Sequence, residues 1–264
     1  MRAKKSLGQN FLKSGVALTA IVDAGEITST DVVLEVGPGK GALTDRLLQK
    51  AGTVIAIEKD SELLPLLSEK FSPYIQEKKL DLREGDILVF DPETLRSHTQ
   101  SYKVIANIPY YITGAIVRKF LESSFLPERM VLLVQKEVSD RIVARDGKES
   151  ILSISVKAFG TPKYITKVRA KEFSPAPKVD SAVLSIYSIS HKNFPGGSAE
   201  IERFFDIVKI GFAHKRKLLS RNLEALFSKV VIEDAFAHIG ISPKARAEDV
   251  QIDVWLALSK KLSQ

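Results

Sequence analysis

The fold is decided by the stretch Asp31-Val32-Val33-Leu34-Glu35-Val36-Gly37-Pro38-Gly39-Lys40-Gly41. Its apolar, β-branched first half predicts a buried strand, and its glycine-rich second half predicts a tight turn. Residues 42–51 then carry the apolar spacing of a helix. The sequence therefore predicts a strand–turn–helix unit whose turn lets the backbone approach a ligand closely.

The glycine turn excludes two common nucleotide-binding motifs. It lacks the Gly-Lys-Ser/Thr ending of a P-loop. Gly37, Gly39 and Gly41 alternate, whereas the dinucleotide fingerprint has the spacing G-x-G-x-x-G. Glu35 stands just before the turn, where it would repel a pyrophosphate and suit a ligand that carries positive charge.

Two further predicted strands also end in acidic residues. Residues 53–58 end at Glu58, about 20 residues past the first glycine, where a carboxylate binds ribose hydroxyls in related folds. Residues 80–86 end at Asp86, which could reach the adenine amino group of a cofactor. The alternative for Glu58 is an ordinary solvated acid at a strand end.

The segment Asn107-Ile108-Pro109-Tyr110-Tyr111-Ile112-Thr113 follows another predicted strand, residues 102–106. The Asn107 amide and the main-chain carbonyls around Pro109 can accept hydrogen bonds, and Tyr110 can lie against a flat heterocycle. These groups could hold an exocyclic amino group during a reaction. The alternative is a proline turn with one tyrosine in the core.

Strands and helices alternate along the first part of the chain, which predicts an α/β fold with a mostly parallel sheet. Residues 164–168 and 182–189 are two strand-like runs without a helix between them, so we expect an antiparallel hairpin at the sheet edge. Residues 191–198 are polar and rich in proline and glycine, and every later pattern is helical. We therefore expect domain 1–190, linker 191–198 and helical domain 199–264.

Composition narrows the class of protein. The formal net charge of +7 favours a polyanionic partner such as RNA or DNA. The chain has no cysteine, and its four histidines have no metal-ligand spacing, so we expect neither disulfides nor a metal site. No apolar run is long enough to span a membrane and the basic N-terminus has no apolar core, so we expect a cytoplasmic protein without a membrane partner.

Two basic clusters are candidate phosphate contacts. Lys4 and Lys5 form an N-terminal arm, and a second cluster contains Lys215, Arg216, Lys217 and Arg221. We expect Lys217 and Arg221 to lie one turn apart on one face of a helix. The alternative is that this charge run is only a solvated face.

Four motifs occur in one order along nearly the whole chain: Gln9-Asn10-Phe11-Leu12, the glycine turn, the Asn107 segment, and Phe173-Ser174-Pro175-Ala176-Pro177-Lys178-Val179-Asp180-Ser181. Together they closely resemble the ribosomal RNA adenine dimethyltransferase family, and the chain is most similar to its small-subunit branch. One departure is Arg221-Asn222, where family members often have two adjacent asparagines.

The resemblance implies an S-adenosylmethionine-dependent Rossmann-like fold with a seven-stranded, mostly parallel sheet and a small all-α C-terminal domain. It implies a cofactor site formed by Asn10, Leu12, Gly37, Glu58, Asp86 and Asn107. The expected catalytic residues are Asn107, Pro109, Tyr110 and Phe173, with the two aromatic rings on either side of the target base.

The implied substrate is a pair of adjacent adenosines in the loop of the 3′-terminal hairpin of small-subunit rRNA, each dimethylated on N6. The expected partner is this RNA or the immature 30S particle, and we expect a monomer. The alternatives are a large-subunit rRNA methylase of the macrolide-resistance type and a non-catalytic ribosome-assembly factor of the same fold. An NAD-dependent oxidoreductase agrees poorly with the alternating glycines.

Overall fold

A computed structural model describes Lys4 and residues 7–264 of the chain. Nine strands occur in this part of the chain: β1 (Phe11–Leu12), β2 (Val32–Val36), β3 (Thr53–Glu58), β4 (Leu80–Glu84), β5 (Lys103–Asn107), β6 (Arg129–Gln135), β7 (Thr161–Val168), β8 (Phe173–Ser174) and β9 (Ser181–Tyr187). Seven of them form one sheet in the order β4-β3-β2-β5-β6-β9-β7.

The first five strands of this sheet, from β4 to β6, are parallel, and β9 and β7 run antiparallel beside them. Every residue of β2 is buried, so both faces of that strand are covered. This explains why the central strands read as continuous apolar runs instead of alternating ones. The predicted fold class and the antiparallel hairpin at the edge are confirmed.

The helices of the described chain are α1 (Gly15–Ala24), α2 (Ala42–Leu48), α3 (Leu64–Lys70), α4 (Ser72–Gln76), α5 (Thr113–Leu121), α6 (Lys136–Val143), α7 (Ile151–Lys157), α8 (Ser198–Gly211), α9 (Leu219–Leu223), α10 (Lys229–Ile239) and α11 (Ile252–Leu262). Of the helices described, none is long and apolar enough to cross a membrane.

A second, two-stranded sheet was not anticipated from the sequence. β1 pairs antiparallel with β8, so that Leu12 lies opposite Phe173. The pairing continues into the hydrogen bond from Lys13 N to the Glu172 carbonyl at 2.8 Å. This pairing places the segment around β1 beside the motif that begins at Phe173.

The chain divides into two compact units, and the first comprises residues up to Ser139 together with Thr161–Ile189. It contains the seven-stranded sheet and the two-stranded sheet. The second comprises Asp140–Gly160 and Ser190–Gln264. The division into independent domains 1–190 and 199–264 stays a prediction.

Residues 140–160 join the second unit through specific contacts. Glu149 N donates to the Glu248 carbonyl at 2.8 Å. The Phe159 ring stacks on Phe205, with centroids 6.0 Å apart, and tilts against Phe194 at 5.3 Å. These are long-range contacts, so no local pattern in the sequence could reveal them.

Candidate active site

A cavity of about 420 Å³ lies in the first unit, within the range of small-molecule sites. It opens at the carboxyl ends of parallel strands, where ligands bind in open α/β sheets. Five segments supply most of its wall: residues 7–13, the turn after β2, the end of β3, residues 85–87 after β4, and the Asn107–Ile112 segment after β5.

The glycine turn leaves space in this cavity. Gly37 has a φ of +65°, and a Cβ atom there would meet no atom within 4 Å. Gly41 has a φ of +75°, and its Cβ would stand 2.4 Å from the Phe71 ring. The backbone at Gly37 is therefore bare toward the cavity, and Gly41 is required for the packing of α2 behind it.

Glu35 lines the cavity with a buried carboxyl group that is only 1% exposed. Its Oε2 finds no hydrogen-bond partner among the described residues. Burial raises the pKa of this group to about 8 from its ordinary 4.5. One oxygen of this buried carboxyl is thus without a partner, and a ligand that brings positive charge beside it would favour the ionised form of Glu35.

Glu58 is a buried carboxylate at the end of β3. Its Oε2 accepts from Gly39 N at 2.9 Å, and its Oε1 accepts from Asp60 N at 2.8 Å. Burial raises the pKa of Glu58, and these backbone hydrogen bonds oppose that rise. Each carboxylate oxygen has a second lone pair, so Glu58 can still accept from the hydroxyls of a ribose.

Asp86 follows β4 and also lines the cavity. Lys59 Nζ donates to its Oδ2 at 2.7 Å, and Leu88 N donates to its Oδ1 at 2.9 Å. The hydrogen bond from Lys59 holds the pKa of Asp86 below its usual value. Asp86 therefore stays ionised and can accept from an amino group.

Asn107 ends β5 at the cavity. Its Nδ2 donates to the Asn10 main-chain carbonyl at 3.2 Å, and Asn10 Nδ2 donates to the Gly8 carbonyl at 3.1 Å. Because Nδ2 is engaged in this way, the amide oxygen of Asn107 is the group left for a ligand. The structure thus brings together Asn10 and Asn107, as the resemblance implied.

Pro109 and Tyr110 line the same cavity. The Tyr110 hydroxyl shares a hydrogen bond of 2.6 Å with Ser181 Oγ. Burial raises the pKa of Tyr110, so the hydroxyl stays protonated. Ser181, the last residue of the fourth motif, thereby holds the hydroxyl end of the Tyr110 ring.

Phe173 lies elsewhere than expected. Its side chain is 2% exposed in the hydrophobic core, and the neighbouring Ser174, not Phe173, lines the cavity. The cause is the β1–β8 pairing, in which alternate residues of so short a strand face opposite sides. Of the two expected rings, Tyr110 therefore lines the cavity and Phe173 faces the core, and stacking of Phe173 on a base stays a prediction. Leu12, on the partner strand, is also buried but reaches the cavity wall.

The two basic clusters are placed as follows. Lys4 Nζ contacts Asp60 at 2.7 Å and Glu62 at 3.0 Å, while Lys5 lies outside the described residues. In the second unit, Lys215, Arg216, Lys217 and Arg221 are all exposed.

The expected helical spacing of Lys217 and Arg221 is wrong. Leu218 is extended, with ψ of 148°, and α9 begins only at Leu219, whose N–H donates to the Ala245 carbonyl. Lys217 therefore lies in the preceding turn. Arg221 Nη1 pairs with Glu224 at 3.0 Å, and Lys215 Nζ is 3.9 Å from Glu248.

Among the described residues, no three or more His, Cys, Asp or Glu side chains form a group that could hold a metal. The donor set of the cavity instead suits an organic cation with a ribose and an adenine: Glu35 for the charge, Glu58 for the hydroxyls and Asp86 for the amino group. The bare backbone at Gly37 provides room for it.

A seven-stranded sheet with this topology, a glycine turn and carboxylates after adjacent strands define the Rossmann-like methyltransferases that use S-adenosylmethionine. Within that class, the chain belongs to the ribosomal RNA adenine dimethylase family, whose model matches residues 1–264.

Several known proteins are similar to this chain. Ribosomal RNA small subunit methyltransferase A of Dehalococcoides mccartyi (strain CBDB1) is 42% identical over 260 residues, covering 98% of this chain and 88% of the relative. The protein of the same name from Synechococcus elongatus is 39% identical, covering 99% of this chain and 96% of the relative.

Among solved structures, a dimethyladenosine transferase from Plasmodium falciparum has a TM-score of 0.80 at 27% identity, covering 94% of this chain and 95% of its own. The 23S rRNA methyltransferase ErmE has a TM-score of 0.77 at 27% identity, covering 97% of this chain and 100% of its own. The fold and the family are therefore the same as those expected from the four motifs.

Proposed function

We propose that this protein transfers methyl groups from S-adenosylmethionine to N6 of two adjacent adenosines in the 3′-terminal hairpin loop of small-subunit rRNA. Each adenosine receives two methyl groups, and the reaction is a step of ribosome biogenesis in the cytoplasm. The protein acts as a monomer, without a metal, on this RNA or on the immature 30S particle. The relatives named small subunit methyltransferase A support this choice of substrate.

The observation that carries the proposal is the orientation of the Asn107 amide. Asn107 Nδ2 donates to the Asn10 carbonyl, so the amide oxygen is presented at the cavity beside Pro109 and Tyr110. An acceptor there can bind the N6–H of adenine but cannot bind a group without a hydrogen to donate. The site can therefore accept a hydrogen bond from the adenine amino group.

The chemistry asks little more of the protein than positioning. S-adenosylmethionine, when bound, supplies an electrophilic methyl group together with its own leaving group. The adenine amino group is a weak nucleophile because its lone pair is delocalised into the ring. Hydrogen bonds from N6–H to the Asn107 amide oxygen and to a main-chain carbonyl near Pro109 localise that lone pair and aim it.

Tyr110 supplies the flat surface for the target base, which must leave its stack to reach the cavity. Base–aromatic stacking contributes about 1–3 kcal/mol. The hydrogen bond to Ser181 holds the ring in place before the base arrives. A preset ring lowers the entropy lost on binding.

The cofactor residues in this proposal are Asn10, Leu12, Gly37, Glu58, Asp86 and Asn107. The RNA contacts are Lys4, Lys5 and the exposed cluster Lys215, Arg216, Lys217 and Arg221. One base cannot identify a site in ribosomal RNA, so selection needs a wider surface that binds phosphates and RNA shape. The net charge of +7 supports this assignment.

The test is to map methylated adenosines in rRNA from cells with and without this protein. The proposal expects dimethylated adenosines at two adjacent positions near the 3′ end of small-subunit rRNA, and their loss without the protein. An unchanged pattern at that hairpin would refute it.

A second candidate is methylation of a large-subunit rRNA adenosine. It is favoured by the likeness to the 23S rRNA methyltransferase ErmE along 97% of this chain. The same map separates the two, because the modified adenosine would then lie in large-subunit rRNA.

A further inference from the structure

We propose that Asp60 is a positioning residue for methyl transfer, acting through the N-terminal segment on the Asn107 amide. The N-terminal clasp is defined as Asp60, Lys4 and Gln9. This inference rests on the proposed function, because it assigns Asn107 to the reaction. It adds a residue that the motifs and the cavity lining do not include.

Asp60 is a buried carboxylate with two long-range partners. The residue is only 3% exposed. Its Oδ1 accepts from Lys4 Nζ at 2.7 Å, and its Oδ2 accepts from Gln9 Nε2 at 2.7 Å. Lys4 N donates to Gln9 Oε1 at 2.8 Å, which closes the clasp. A buried charge costs free energy unless it is paired, and Lys4 and Gln9 provide the partners of this carboxylate.

The clasp leads directly to the catalytic amide. Gln9, held by Asp60, is followed by Asn10, whose main-chain carbonyl accepts from Asn107 Nδ2 at 3.2 Å. Asn10 Nδ2 in turn donates to the carbonyl of Gly8 on the other side of Gln9. If Gln9 is released, the carbonyl that orients the Asn107 amide is no longer fixed on its N-terminal side.

Two other parts of the site are held by contacts outside the clasp. β1 and β8 pair from Phe11 onward, and Lys13 N donates to the Glu172 carbonyl. The link from Asp60 to Glu58 uses the Asp60 main-chain N–H at 2.8 Å, which a side-chain substitution keeps. Loss of the Asp60 carboxylate should therefore disturb Asn107 selectively and leave the ribose carboxylate in position.

Substitution of Asp60 does not leave a charge buried without a partner. The Lys4 side chain is 34% exposed and has a second contact with Glu62 at 3.0 Å. Glu62 itself is 62% exposed. Glu62→Gln is therefore a matched control. It weakens the ion pair between Lys4 and residue 62 but leaves the contact between Asp60 and Gln9, and hence Asn10, in place.

The first measurement separates kcat from KM for Asp60→Ala and Asp60→Asn. We expect kcat to fall by about 10- to 100-fold in Asp60→Ala, the scale of a small misplacement of a reacting group. The KM for RNA should stay within about twofold, and the KM for S-adenosylmethionine should rise only modestly, because Asn10 and Asn107 also belong to the proposed cofactor site. Asparagine keeps an acceptor for Gln9, so Asp60→Asn should lose less. Glu62→Gln should retain wild-type kcat.

A double variant tests whether Asp60 acts through Gln9. If it does, adding Gln9→Leu to Asp60→Ala should cause no further loss of kcat, because both changes break one link. If the two substitutions instead reduce kcat by factors that multiply, Asp60 does not act through Gln9. Unchanged kcat in Asp60→Ala, or a loss confined to KM, would overturn the proposal.

A second measurement tests the role of Asp60 without relying on methyl transfer. The side-chain amide protons of Asn107 should exchange faster with solvent in Asp60→Ala than in wild type or Glu62→Gln, measured by NMR. Equal exchange rates would overturn the clasp. Wild-type protein that transfers no methyl group would instead refute the proposed function, and the exchange rates would still decide the clasp.

Discussion

Glu35 should make the stability of the cofactor-free protein fall as the pH rises. Its carboxyl is buried, with a pKa of about 8 in the folded chain against an ordinary 4.5. Below pH 4.5 the group is protonated in both states. Between pH 4.5 and about 8 the unfolded chain loses a proton that the folded chain keeps, so stability falls by about 1.4 kcal/mol per pH unit.

Glu35→Gln removes this dependence while keeping the shape of the side chain. The variant's advantage in unfolding free energy over wild type should grow across that window to about 5 kcal/mol. The assay is urea unfolding of both proteins from pH 4 to pH 9. Near pH 4 the two stabilities should be close, which serves as the internal control. Parallel pH profiles would refute the account of a neutral, buried carboxyl.

Three further predictions concern binding. Glu58→Ala should weaken S-adenosylmethionine affinity by about 1.5–3 kcal/mol, because charge-assisted hydrogen bonds are lost, and calorimetry showing equal affinity would contradict this. Tyr110→Leu should weaken binding of the target RNA by about 1–3 kcal/mol, measured against an RNA without the adenosines, whose affinity should not change. Replacing Arg216 and Lys217 by Glu should weaken RNA binding and flatten its salt dependence, whereas superimposable salt plots would mean a solvated face only.

The sheet and its glycine turn could be predicted because short, continuous stretches of the sequence determine them. β2 and β3 are continuous apolar runs that end in Glu35-Val36 and Glu58, and the turn after β2 needs glycine where φ is positive. The hairpin of β7 and β9 followed from two strand-like runs without a helix between them. Periodicity suffices for such elements.

The errors and omissions concern long-range contacts. β1 and β8 have two residues each, too short for any periodicity, so their pairing and the burial of Phe173 could not be foreseen. Asp60 and Lys4 are 56 residues apart in sequence, and nothing local in the chain links them. The apolar spacing from Leu218 to Leu226 predicts a helix that opens with the basic run including Lys217, but the backbone is extended at Leu218.

We propose that the Asn107 amide oxygen holds the adenosine amino group during methyl transfer. The most direct measurement is the single-turnover rate of methyl transfer by Asn107→Ala, with cofactor and RNA affinities determined in parallel. We expect a rate loss of about 100- to 1000-fold, the effect of removing one positioned hydrogen-bonding group from a site. RNA affinity should be nearly unchanged and cofactor affinity only modestly lower. A near-normal rate in Asn107→Ala would contradict this proposal.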